Sequence, residues 1–360
     1  MLARAMLCLS SSTHASAAAA RRMPACRGVS ASSFDGTFSY RPTAARARRG
    51  LAHASASASA RSADDSPLSP PPRHVSLIQG ASRGIGLEMV RQLLEVPDAN
   101  LPGRPAAAGG HVVATCRDPA NASGLTDLLS KHPGRLTVVR LDVESTATIV
   151  DAAETVKRKL GRVDLLCQTA AVLHVDAPEF KMRPETSIAR LDENAALKAY
   201  RVNALGPTLV TKHFAGLLTE GTRLSRVCAS EGDATTNETN DDGEKTAPAA
   251  VVANLSARVS SVGDNALGGW HSYRASKTAL NQLTKNCAIE FSRKKHPITF
   301  LLLHPGTVDT DLSEPFKKNV PAEKLFTAER AARQLLRIVG AKTQQDTGKF
   351  FAWDGTEVPW

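Results

Sequence analysis

Tyr273 and Lys277, set four residues apart in Trp270-His271-Ser272-Tyr273-Arg274-Ala275-Ser276-Lys277, are the pair in this chain best suited to move a proton. On a helix, positions i and i+4 share a face, so phenol and amine would stand one turn apart. A free phenol titrates near 10, about three units too high for proton transfer at neutral pH, and an adjacent ammonium favours the phenolate. The spacing predicts a general acid/base for a carbonyl or alcohol oxygen. Alone it recurs by chance in many helices. Its weight comes from what lies about 190 residues earlier.

There, a short apolar run enters Gly80-Ala81-Ser82-Arg83-Gly84-Ile85-Gly86 and leaves as an amphipathic stretch. Such glycines turn the chain, let backbone N–H groups approach a pyrophosphate, and let helix and strand pack closely. The helix N-terminus that follows adds partial positive charge facing the phosphates. At the end of the second apolar run, a free ribose 2′-hydroxyl would call for a carboxylate. Thr115-Cys116-Arg117 stands there instead, and Arg83 sits inside the loop. Guanidiniums grip a 2′-phosphate through charge-assisted bonds, so the residues predict NADP(H) over NAD(H). Asp118-Pro119 reads as the start of the next helix, with Asp as cap and Pro in the first turn.

The elements that must position these groups alternate from residue 74 onwards. Strands are expected at His74–Gln79, His111–Cys116, Leu136–Leu141, Val163–Cys167, Ala249–Leu255, Ile298–Leu303 and Lys349–Trp353, apolar at nearly every position as buried parallel strands are. Helices are expected at Ile85–Val96, Thr146–Leu160 (capped by Ser145), Leu191–Thr219 and Tyr273–Ser292. This order predicts an α/β fold, a single Rossmann-like doubly wound parallel sheet of seven strands flanked by helices, over residues 73–360. Pro97–Gly110 and Ala229–Pro248 read as irregular connections.

Residues 1–63 differ from the rest. They are Ala- and Ser-rich, with nine Arg, no Lys and one acid, Asp35, and so carry most of the formal +10. That composition is expected of an organelle transit peptide, for the chloroplast stroma in preference to the mitochondrial matrix, with residues 1–72 as leader and linker. Concentrating the charge in a low-complexity segment without aromatic interleaving argues against nucleic acid as partner. No run of 18 apolar residues is present, so no membrane span is expected. Cys8, Cys26, Cys116, Cys167, Cys228 and Cys287 lack metal-ligand spacing, and no metal site is expected.

Taken together, the ordered motifs from residue 74 onwards resemble the short-chain dehydrogenase/reductase superfamily, in particular its C-factor-like and small carbonyl reductase branch. The glycine loop matches G-x-x-x-G-x-G, and Leu141-Asp142-Val143 resembles the adenine-side motif. Tyr200-Arg201-Val202-Asn203-Ala204-Leu205-Gly206-Pro207 resembles the helix that carries the family's active-site Asn. His304-Pro305-Gly306-Thr307-Val308-Asp309-Thr310 resembles the turn that meets the nicotinamide. Gly263-Asp264-Asn265, Gly268-Gly269-Trp270 and the closing Phe351 to Trp360 point to the C-factor-like branch.

By that resemblance Tyr273 would be the acid/base, and Lys277 would lower its pKa and hold the nicotinamide ribose. Asn203 would anchor a water of the proton relay, and Thr310 would bond the carboxamide. Ala170 would keep a backbone contact to the cofactor. Trp270 and Asp176–Glu193 would border a small-molecule carbonyl or alcohol substrate. The family also implies a homodimer or homotetramer. Two departures stand out. Gln168-Thr169-Ala170-Ala171 replaces Asn-Asn-Ala-Gly, and Ala257 falls where the family places a substrate-orienting Ser. Ser256, Ser260 and Ser261 are neighbours able to substitute, Ser260 by its thirteen-residue spacing to Tyr273. Those departures keep a second reading open, a cofactor-binding regulatory or signalling protein with vestigial catalysis.

Overall fold

Seven apolar runs form one parallel sheet in the computed structural model, which describes residues 66–95, 110–230 and 249–360. In chain order these elements are β1 (His74–Gln79), α1 (Gly84–Glu95), β2 (Gly110–Cys116), α2 (Ser123–Lys131), β3 (Leu136–Arg140), α3 (Thr146–Leu160) and β4 (Leu165–Gln168). A small antiparallel hairpin follows, β5 (Val175–Ala177) and β6 (Phe180–Met182), then α4 (Glu193–Tyr200) and α5 (Gly206–Ser230). The remainder is β7 (Val251–Leu255), α6 (His271–Ser292), β8 (Thr299–His304), β9 (Thr307–Val308), β10 (Leu325–Phe326), α7 (Ala328–Ala341) and β11 (Lys349–Ala352).

The sheet order is β11-β8-β7-β4-β1-β2-β3. The chain runs outward from β1 through β2 to β3, then returns to the other side of β1 at β4. The order therefore reverses between β1 and β4, the place where ligands bind at the carboxyl ends of such sheets. Alternate residues of each strand feed two cores. On one face Ile78, Ala114, Cys167, Ala253 and Leu301 pack against Met89 and Val90 of α1 and Leu335 and Leu336 of α7. On the other, Leu77, Val113, Leu166, Val252 and Phe300 pack against Ile149 and Val156 of α3, Phe214 of α5 and Phe291 of α6. Both faces are covered, which is why the strands read as continuous apolar runs. The folded body reaches back to Leu68, whose side chain packs on the second core.

All seven expected strands are present, and α3 has the expected bounds with Ser145 accepting from the Thr148 N–H. Three helical expectations need correction. Asp118-Pro119 does not open a helix. The Asp118 carboxylate takes the Asn121 amide at 2.6 Å, and α2 begins later, behind Ala122. The span Leu191–Thr219 is not one helix, because a π-turn, Arg201–Leu205, separates α4 from α5. Pro207 explains the break: it has no N–H to give the carbonyl of Asn203 four residues earlier. Finally, α7 and the β5–β6 hairpin have no counterpart among the expected elements. Residues 1–65, most of Pro97–Gly110 and most of Ala229–Pro248 lie outside the described residues.

Candidate active site

The glycine turn leaves β1 at the switch point. Gly80 has a left-handed backbone, φ +85, and a Cβ there would come within 2.7 Å of Ala170 N. A Cβ on Gly86 would lie 2.4 Å from the Gly80 carbonyl. The turn is therefore as tight as a glycine backbone permits. It is also tethered from both sides. The Gly80 and Ala81 N–H groups donate to Thr115 O at the end of β2, at 3.1 and 2.9 Å. From the end of β4, Thr169 Oγ1 donates to Gln79 O at 2.8 Å and to Gly80 O at 3.1 Å, and Ala170 N donates to Gln79 Oε1 at 3.3 Å. The Gln168-Thr169-Ala170-Ala171 departure thus keeps the loop in place with a hydroxyl where the family has an amide.

Ser82 is half-buried and Ile85 packs on the first core, so the loop presents the start of α1 outward. Thr310 faces it across the cleft: a Cβ on Gly84 would meet Thr310 Cγ2 at 3.3 Å. Pro305, Gly306 and Thr307 lead from β8 into that strand of chain, and Gly306 (φ +79) leaves no room for a side chain beside Phe326 and Trp353. Arg83 is exposed and paired with Asp311 at 3.0 Å. Arg117 is exposed just beyond β2, and its carbonyl accepts from Arg140 Nε at 3.3 Å, which brings a third guanidinium to this edge. Asp142 Oδ1 accepts from Glu144 N at 3.0 Å, and Val143 is buried where Gly206 allows close approach. The loop, the α1 N-terminus and the arginines fit a phosphorylated dinucleotide.

Tyr273 and Lys277 both lie on the buried side of α6. Lys277 Nζ donates to Leu255 O at the end of β7, at 2.7 Å. Here the electrostatic expectation is reversed. Burial pushes the Tyr273 phenol above its ordinary value, with no lowering contribution from Lys277, and pushes the Lys277 amine down to about 7. Removal from water disfavours the charged form of each, so phenol and amine are both held towards neutrality. That leaves Tyr273 a protonated donor.

Asn203 is fully buried in the π-turn, and its side chain is wholly engaged by protein. Oδ1 accepts from Val172 N at 2.7 Å, while Nδ2 donates to Val172 O at 2.8 Å and to Ser276 Oγ at 3.0 Å. Any water held by this residue would rest on its backbone carbonyl, the one Pro207 leaves without an i+4 partner. The serines near Ala257 are engaged too. Ser256 Oγ donates to Asn281 Oδ1 at 2.6 Å, Asn281 Nδ2 donates to Ser260 Oγ at 2.8 Å, and Ser261 Oγ accepts from Asp264 N at 3.1 Å. Ser256 is thus bonded to α6. Three side chains had no role assigned from the sequence: Thr169 within Gln168–Ala171, Gln79 at the end of β1, and Glu185 within Asp176–Glu193, the last considered below. No cluster of His, Cys, Asp or Glu that could hold a metal occurs among the described residues, and no helix among them is long and apolar enough to cross a membrane.

Comparison with known proteins agrees with the fold. The family described as short chain dehydrogenase matches residues 74–228 and 251–321. A protein of Rhodococcus sp. (strain AD45), 1-hydroxy-2-glutathionyl-2-methyl-3-butene dehydrogenase, is 28% identical over 288 residues, 79% of this chain and 98% of that protein. C-signal of Myxococcus xanthus is 29% identical over 163 residues, 45% of this chain and 77% of that protein. Among solved structures, NADPH-bound carbonyl reductase from chicken fatty liver is 28% identical, with a TM-score of 0.61, covering 81% of this chain and 100% of that one.

Proposed function

The chain belongs to the short chain dehydrogenase family, and we propose that within it the protein is an NADP(H)-dependent carbonyl reductase, or the reverse alcohol dehydrogenase, with Tyr273 as general acid/base. The observation that carries the reading is Tyr273 and Lys277 together on the buried face of one helix, in the same domain as a phosphate-binding glycine turn. The NADPH bound by the chicken carbonyl reductase supports the choice of dinucleotide, as do Arg83 and Arg117 here.

The dinucleotide, when bound, supplies or accepts the hydride. This chain does the rest. The α1 N-terminus and the backbone N–H groups of residues 82–86 would receive the pyrophosphate, and Arg83 and Arg117 would favour a 2′-phosphate. Ala170, Pro305, Gly306, Thr307 and Thr310 shape the cleft beyond it. A protonated Tyr273 gives its proton to the developing alkoxide, and Lys277, whose amine titrates near neutrality, returns a proton to the phenolate side. The backbone carbonyl of Asn203 is the anchor for a relay water.

The test is turnover of NADPH by the full chain with a panel of aldehydes and ketones, compared with Tyr273→Phe. Loss of turnover with retained NADPH binding is expected, and unchanged turnover refutes the assignment. The engaged hydroxyls of Ser256, Ser260 and Ser261 favour a second reading, a cofactor-binding regulatory protein with vestigial catalysis, for which wild type would bind NADPH and reduce no carbonyl. Composition of residues 1–63 supports a plastid stroma as address, with the mitochondrial matrix as alternative. Imaging a fluorescent fusion of the full chain separates the two.

A further inference from the structure

The helix that carries Tyr273 begins in an unusual way. Its N-cap is Trp270, with a left-handed backbone (φ 53, ψ 43) and no side-chain cap of its own. Gly268 and Gly269 before it are also left-handed, so three successive residues hold a conformation that only glycine adopts freely. A bulky residue persists there only where its surroundings hold it. Arg274 Nε donates to Gly269 O at 3.0 Å and Asn265 Oδ1 accepts from Gly268 N at 3.0 Å, and the longest-range hold comes from Glu185, supplied from the segment between β6 and α4, 87 positions before Ser272. The Glu185 carbonyl accepts from Trp270 N at 2.6 Å. Its carboxylate faces Ser272 N, with oxygens at 3.4 and 3.3 Å, and receives the Ser272 hydroxyl. Glu185 is 4% exposed, and no cation is paired with it among the described residues.

A carboxylate buried without a cation is costly unless N–H and O–H groups satisfy it. Here the first turn of α6 does so, and its partial positive charge favours the anion. What the arrangement holds is next to the chemistry. Trp270 sits edge-on to the Tyr273 ring with centroids 6.2 Å apart, and tilts against Phe316 at 5.3 Å.

We propose that Glu185 is the positioning residue of the active site: by clamping Trp270 and Ser272 it sets the direction of the Tyr273 phenol and the placement of the indole beside it. The inference rests on Tyr273 as proton donor. A merely structural cap would lower stability without separating the kinetic constants. A positioning clamp lowers kcat and raises the carbonyl KM while leaving the glycine turn between β1 and α1, which Glu185 does not touch, unchanged.

The experiment compares wild type with Glu185→Ala, Glu185→Gln and Ser272→Ala in the full chain. Readouts are kcat, carbonyl KM, the NADPH dissociation constant by fluorescence titration, and the near-ultraviolet circular dichroism of the aromatic pair. Glu185→Ala is expected to lower kcat at least tenfold and raise the carbonyl KM, with NADPH affinity within twofold. Its lost dichroic band should coincide with the band lost in Trp270→Phe. Glu185→Gln, which keeps an acceptor for Ser272, should recover most of kcat. Every one of these variants leaves the main-chain bond from Trp270 N to the carbonyl of residue 185; Ser272→Ala, the mildest change, removes only the hydroxyl from the carboxylate, should move the constants in the same direction, and keeps the question open to measurement if Glu185→Ala fails to fold. Wild-type kcat in Glu185→Ala, or parallel loss of NADPH binding and turnover, overturns the proposal. If Tyr273→Phe is itself fully active, the functional reading fails instead; if Tyr273→Phe is inactive and Glu185→Ala is normal, only the clamp fails.

Discussion

Asn203 in the π-turn donates to Ser276 Oγ at 3.0 Å, and Ser276 in turn donates to the carbonyl of Tyr273 at 2.8 Å. A buried amide thereby joins the turn between α4 and α5 to the residue proposed to move the proton. Asn203→Ala leaves the part-buried Val172 N–H and C=O without their partner and takes one donor from the Ser276 hydroxyl. Each such group costs about 1–3 kcal/mol, so the variant should lose roughly 3 kcal/mol of stability. Thermal unfolding with parallel steady-state kinetics checks it. A lower melting temperature, with kcat falling further than NADPH affinity, is expected; a change below about 1 kcal/mol would contradict the role assigned to the amide.

Arg83 is held by Asp311 at 3.0 Å, both side chains being well exposed. A 2′-phosphate must compete with that carboxylate. An exposed ion pair is worth no more than about 1 kcal/mol, so Asp311→Ala should tighten binding of adenosine 2′,5′-bisphosphate about two- to fivefold. Arg83→Ala should weaken it, about tenfold or more if the guanidinium forms a charge-assisted bond there. Calorimetric titration measures both, with adenosine 5′-monophosphate as control. Equal weakening for the two nucleotides in Arg83→Ala would remove Arg83 from the specificity argument.

These relationships differ in how far they could be read in advance. The strands were legible because burial on both faces leaves apolar residues at every position, a pattern the chain shows plainly in Val75, Leu77 and Ile78 or Phe300 to Leu303. Tyr273, Lys277 and the glycine turn were legible because their chemistry depends on local spacing. The π-turn had a signal that went unread, Pro207 four residues after Asn203. Glu185 and Thr169 lie in stretches the sequence singled out, Asp176–Glu193 and Gln168–Ala171, but nothing there named their partners. Each acts on a partner about 90 residues away, and a lone Glu or Thr in an irregular stretch says nothing of which helix or turn it will meet. The sign of the Tyr273 shift also lay beyond the sequence, since i, i+4 spacing suggests ammonium beside phenol while the depth of burial decides which protonation states survive.

Ala257 marks a place where a hydroxyl can be added. It follows β7 and Ser256, and the hydroxyls of Ser256 and Ser260 are engaged with each other and with Asn281. A donor to a developing oxyanion contributes about two to three orders of magnitude where it is well placed. Ala257→Ser should therefore raise kcat for carbonyl reduction by roughly tenfold or more. Ser256→Ala, which removes the bond to Asn281, should lower stability by about 1 kcal/mol and leave kcat within a few-fold. Steady-state assays of the two variants decide: loss of activity in Ser256→Ala greater than tenfold would return Ser256 to the catalytic set.

Stability should fall as the solution is acidified from pH 7 to pH 4, and His111 on β2 is a principal reason. It is 4% exposed, with Nε2 2.8 Å from Thr137 Oγ1. Burial lowers its pKa to about 4, against a smaller raising effect from the Gly134 backbone, with Arg135 and Lys159 adding to the lowering. Above pH 6.5 the ring is neutral folded or unfolded, and it contributes no pH dependence. Between 6.5 and 4 the unfolded chain takes up a proton that the folded chain refuses, so folding loses ground, by about 3 kcal/mol once pH is below both values. Lys277, lowered to about 7, works in the same sense at higher pH, so stability should also climb between pH 7 and 10. Urea denaturation at pH 7.5, 6.0 and 5.0 tests the His111 part. His111→Gln should flatten the slope between the three points, and an unchanged slope would assign the acid sensitivity to other groups.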